Sequence, residues 1–190
     1  MKLMKIYKKY SAIIEWFLAI ILILICSKII FPGSFTPLKA HEQSEKSVYY
    51  GPSNVIKTID LGKEKIYLCK YKDWFSIDVI RKGLIKWHPV NYPAGYPIDY
   101  SKQVTFNTYT SKPTKKSEPI AKIYGYVNDP QIKNIVLEDN NKKIISNYEL
   151  DENKMFILTS HTNNEKNKAN YIKGLDTNGN IIYEEELKYF

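Results

Sequence analysis

Two cysteines, a single arginine and eight scattered glycines are all that 190 residues provide of these types, and each shortage closes off a class of function. Cys26 falls inside a long apolar run and Cys69 in a strand-like segment, so the two are not expected to pair. With no disulfide framework, the chain must hold together by packing. Ile25 stands directly before Cys26, where a lipidation site needs a small residue, so Cys26 reads as a buried hydrophobe. Arg81 is the one arginine among 28 basic residues. Nucleic-acid readers favour arginine for its bidentate contacts, and nucleic acid is therefore not an expected partner. The net charge of +8 reads mainly as a bias towards lysine, asparagine, isoleucine and tyrosine, the pattern of AT-rich coding sequence.

Signatures of chemistry are also lacking. No glycine-rich phosphate loop, G-x-S-x-G elbow or S-x-x-K pattern is present. His41, His88 and His161 have no second histidine or cysteine at zinc-ligand spacing, and they read as packing or solvent-facing side chains. Asp176 to Asn180 glances at a calcium loop, but its glycine arrives fourth instead of sixth and Leu187 stands where a glutamate belongs. A hairpin turn is expected there. No metal or cofactor is expected, and the chain is not expected to be an enzyme, although triads assemble in space and leave no trace in sequence order.

What is present begins with one apolar run, Ala12 to Phe31, preceded by Lys2, Lys5, Lys8 and Lys9. Twenty helical residues reach about 30 Å, the thickness of a bilayer's hydrocarbon core. The run is expected to be an uncleaved transmembrane signal-anchor, with Trp16 and Phe31 near the two interfaces. Lys8 and Lys9 hold the tail at 1–11 in the cytoplasm, so the rest of the chain lies outside. The alternative is a cleaved signal with its site near Ala40, where Leu38 occupies a position that prefers a small residue.

Residues 32–54 carry three prolines and no usable periodicity, and are expected to be a spacer. From Val55 the pattern has period two. Ile66 and Leu68 alternate with Tyr67, Cys69 and Tyr71; Phe75, Ile77 and Val79 alternate with Trp74, Ser76 and Asp78. Short polar turns between such segments predict an antiparallel meander over 55–110. Six further strand-like segments over 119–190 predict a small immunoglobulin-like β-sandwich. The fold expected is mainly β, with a transmembrane helix, then the meander, then the sandwich.

Tyr124-Gly125-Tyr126-Val127-Asn128-Asp129-Pro130, Ile132-Lys133-Asn134-Ile135 and Ile172-Lys173-Gly174-Leu175-Asp176, with Gly179 and Ile181, resemble small exported, membrane-anchored proteins of Bacillus-type bacteria. Thr58-Ile59-Asp60-Leu61-Gly62 resembles the first half of the same group. The likeness spans most of 55–190. It implies an extracytoplasmic β domain and, since the group has no assigned activity, no site.

The exposed chemistry expected to contact a partner is Tyr92, Tyr96 and Tyr100, with Tyr109 nearby, followed by Lys112, Lys115 and Lys116. Aromatics beside cations suit an anionic wall polymer or an envelope protein. Tyrosines packed in the core beside a solvated lysine loop are the plainer alternative. The expected role is a binding module at the cell envelope. Alternatives are an accessory subunit of a membrane complex, engaged through Glu15 and Lys28, and a cell-surface hydrolase of unrecognised type.

Overall fold

The computed structural model describes residues 10–11, 13–23, 33–91, 93, 95–110, 120–161 and 168–188. Their fold is mainly β, built from three antiparallel sheets. The first sheet runs β1 (Asn54–Asp60), β2 (Glu64–Tyr71), β3 (Trp74–Lys82) and β4 (Trp87–Pro89) in order, and the short β5 (Tyr96–Pro97) pairs with the start of β3. The middle sheet has the order β10 (Met155–His161), β7 (Ile120–Val127), β6 (Val104–Thr110). The outer sheet has the order β12 (Ile181–Glu186), β11 (Tyr171–Leu175), β8 (Asn134–Glu138), β9 (Ile144–Glu149).

Strand alternation stacks these sheets as layers, because successive side chains point to opposite faces. From β7 and β10, Ala121, Ile123, Phe156 and Leu158 meet Ile135, Leu137 and Ile172 of the outer sheet. The intervening Tyr124, Met155 and Ile157 meet Ile66, Leu68, Phe75, Ile77 and Val79 of the first sheet. The middle sheet is thus covered on both faces. Each fully buried large side chain contributes about 1.5–3 kcal/mol of transfer free energy. Gly125 has no room for a side chain, since an added Cβ would lie 2.8 Å from the Phe106 Cα on the neighbouring strand. The expected turn after β11 is present: the Asp176 carboxylate accepts hydrogen bonds from the Asn178 and Asn180 amides at 2.8 Å.

Three features differ from the sequence reading. Residues 32–54 are not merely a connector: Pro37–Ser47 form helix α2, which packs on the first sheet, and Ala40 joins Tyr67, Cys69, Ile80 and Trp87 in a small core. Thr36 caps the helix, its Oγ1 accepting from the Lys39 amide, and Pro37 opens the first turn. A reading based on hydrophobicity misses this helix because three of its four buried residues (Ala40, His41, Ser44, Glu45) are polar. Second, β6, expected with the meander, pairs along its whole length with β7 across the 111–119 segment. Third, residues 13–23 form a helix, α1, whose large apolar side chains are exposed, Trp16 at 72%. Among the described residues no helix is long and apolar enough to cross a membrane. Lys8, Lys9, Phe31 and much of the apolar run lie outside them.

Candidate functional site

The face that the first sheet turns towards α2 is unusual for a buried surface. The β2–β3 register places Tyr67 opposite Asp78 and Cys69 opposite Ser76, and all four are buried. Into this face α2 inserts His41, Ser44 and Glu45, also buried. His41 and Glu45 lie one turn apart, the spacing that puts two side chains on one helical face.

His41 is the hub. Its Nδ1 lies 2.9 Å from Asp78 Oδ2, its Nε2 lies 3.5 Å from Glu45 Oε1 and 3.7 Å from Cys69 Sγ, and its ring stacks on Tyr67. Burial pushes the imidazole pKa down, but the hydrogen bond to Asp78, together with Cys69, outweighs it and the pKa is pushed up to about 10. Burial is also the largest influence on Asp78 and pushes its carboxyl up, against the pull of His41. Near neutral pH the pair is an imidazolium held by a carboxylate. Glu45 is fixed from its other side, where Ser53 donates its amide to Oε2 at 3.2 Å and its hydroxyl to Oε1. Ser44 Oγ, Ser76 Oγ and Asp78 Oδ1 are buried with no hydrogen-bond partner.

A cleft of about 630 Å³ opens beside this cluster, lined by His41, Glu42, Glu45, Lys46 and Tyr50 with Leu38 and Val55 as apolar walls. His41 and Glu45 both border the cleft, and both side chains are almost wholly buried. The Cys69 thiol, 0% exposed, is not part of its lining.

The residues expected to contact a partner are only partly visible. Tyr92, Lys112, Lys115 and Lys116 lie outside the described residues. Tyr96 is partly exposed on β5, its ring tilted against Phe75, and Tyr100 donates its hydroxyl to Asp73 at 2.7 Å. Tyr109 packs against the core between the first and middle sheets, with Lys122 over its ring. Tyr96 lines a second hollow of about 390 Å³ whose charged residues are Asp99, Lys102, Glu185, Glu186 and Lys188. Carboxylates outnumber lysines there, so that hollow does not suit a polyanion. Among the described residues no group of three or more histidine, cysteine, aspartate or glutamate side chains is arranged to hold a metal ion.

The sequence reading overlooked the His41–Glu45 spacing and the alignment of Cys69 and Asp78 beneath it. The i, i+4 pair was available as a signal, whereas the alignment needed the β2–β3 register. No family model matches the chain, and neither a curated protein nor a solved structure does.

Proposed function

We propose that the protein is a membrane-anchored binding module whose β domain faces outside the cell and takes a segment of a partner protein in the cleft beside α2. The observation that carries this reading is the cleft itself. Leu38 and Val55 give it apolar walls, and Glu42 and Lys46 give it charges of both signs, the carboxylate for a cationic group and the ammonium for an anionic one. Pockets of this size with few convergent polar groups are the default places for recognition. The exposed apolar side chains of residues 13–23 support the anchor, because a contiguous apolar helix left facing water is costly. The lysines before it support an outside domain. β6–β12 support an immunoglobulin-like module: lettered a to g in chain order, their two sheets read e-b-a and g-f-c-d. The resemblance to exported proteins of Bacillus-type bacteria agrees with this placement.

The test is photo-crosslinking in whole cells from Tyr49, fully exposed at the cleft. Specific capture at Tyr49, lost in Glu42→Lys and absent from a probe at Asn178, is expected. Capture insensitive to Glu42→Lys would contradict the cleft reading.

A second reading, a thiol hydrolase, has one observation in its favour: Cys69, His41 and Asp78 stand in the order nucleophile, base, orienting carboxylate. Against it, the Cys69 thiol is 0% exposed and does not line the cleft, so it is closed off from any substrate held there. Cys69→Ser is expected to leave capture intact. Any hydrolytic activity abolished by that substitution would favour the second reading.

A further inference from the structure

Resting on the anchored reading above, we propose that the end of the first sheet formed by the β3–β4 loop, with Leu84 and Ile85, and by the neighbouring Phe35 lies on the same bilayer that holds the anchor. The occupant of this face is anionic phospholipid.

Covalent reach is the first argument. The apolar run ends at Phe31, and Ser34 is already bound to the domain. Its amide donates to the Trp87 carbonyl at 2.9 Å and its carbonyl accepts from the Trp87 amide at 2.7 Å. Three residue steps span at most about 10 Å. If the run is in the membrane, β4 and the loops beside it cannot stand far from the surface.

The second argument is what those loops display. Phe35 follows the Ser34 bridge directly and is 73% exposed. Leu84 and Ile85, 89% and 58% exposed, occupy the tight loop closed by the Gly83 amide donating to the Lys86 carbonyl at 2.8 Å. The two loops are neighbours, because Lys86 Nζ lies 5.3 Å from the centre of the Phe35 ring. Three large apolar side chains at adjoining loop tips are what an interfacial contact needs, and water gives no reason to present them together.

Charge supplies the third argument. Lys39, in the first turn of α2, and Lys82, at the end of β3, are exposed beside these tips. Lys63 joins them, its carbonyl accepting from the Lys82 amide at 2.7 Å. Cations flanking apolar tips match an anionic headgroup layer, each contributing through attraction that fades within a Debye length. The geometry also fixes orientation. Val55, a wall of the α2 cleft, pairs with Cys69 at the opposite end of β1 from the Lys63 turn, and Tyr50 packs on Tyr71 there, so that end of the cleft would stand on the side away from the bilayer.

The test uses the full chain with Cys26→Ser, reconstituted in vesicles of phosphatidylglycerol and phosphatidylethanolamine that carry a lipid-bound quencher. A fluorophore is placed on a cysteine introduced at Leu84, at Ile85, at Ile21 in the anchor, or at Asn178 on the far turn; buried Cys69 does not compete for label. The expected result is loss of most emission at positions 21, 84 and 85 and little loss at 178. Lys39→Glu with Lys82→Glu is expected to restore much of the emission at 84, as is replacing the lipid by phosphatidylcholine. Quenching at 21 with none at 84 or 85 would overturn the docked face and leave the anchor standing. No quenching at 21 would overturn both. Equal quenching at 178 would contradict the proposed orientation.

Discussion

The two faces of the first sheet are made by the same strands and solved in opposite ways. Towards the middle sheet, β2 and β3 present Ile66, Leu68, Phe75, Ile77 and Val79 in an ordinary apolar core. Towards α2, the intervening positions present Tyr67, Cys69, Ser76 and Asp78, equally buried but polar or small. Burial alone therefore does not say how a face is stabilised. The inner face is held by non-directional removal of apolar area from water. The outer face depends on an imidazolium meeting a carboxylate at 2.9 Å, a contact that fixes where the helix lies as well as that it binds.

The sharpest way to break this contrast is Asp78→Ala. It leaves the His41 imidazolium buried without its partner, and removing one member of a buried pair costs about 3–5 kcal/mol. Loss of α2 docking is expected, seen by chemical denaturation as a transition separate from the rest. Replacing both members, with Asp78→Leu and His41→Leu, is expected to recover most of that loss, because an apolar pair of similar volume is often neutral or stabilising. Recovery no better than the single variant would mean the pair itself supplies net stability.

Ile77→Ala attacks the inner face and is expected to cost about 2–5 kcal/mol through lost transfer and the cavity left behind. It should lower the global midpoint in denaturant, with α2 and the sheets unfolding together. The pH dependence separates the faces further. His41 has a folded pKa raised to about 10 against an ordinary value of 6.5. Its contribution is fully present below pH 6.5 and is lost as pH rises towards about 10. Asp78, also raised, changes stability in the same direction. The thermal midpoint is expected to fall between pH 7 and 10, with His41→Leu showing a flatter profile over that window. The smallest effect expected is that of Thr36→Ala, which removes the cap of α2 and costs about 1 kcal/mol, read by the same denaturation.

Legibility in the sequence followed the same division. The alternation of Ile66, Leu68, Phe75, Ile77 and Val79 with polar neighbours was plain, and the antiparallel pairing of β2 with β3 follows from it. The turn at Asp176 to Asn180 was plain too, because its local hydrogen bonds are written in residue types. Helix α2 was not, since a hydrophobic stripe is the usual sign of a docked helix and this one docks through His41, Ser44 and Glu45. The union of β6 with β7 was hidden by the long segment between them: pairing across such a loop leaves no local mark. The polar cluster was hidden for a related reason, because its members come from α2, β2 and β3 and converge only once the register is set.

Hydrogen exchange of the α2 amides at neutral pH, compared between the native chain and Asp78→Asn, tests most directly whether the buried pair holds this helix in place. Protection over Pro37–Ser47 is expected to collapse in the variant while the β7 and β10 amides of the middle sheet keep theirs. Unchanged protection of α2 would contradict the role given to His41 and Asp78.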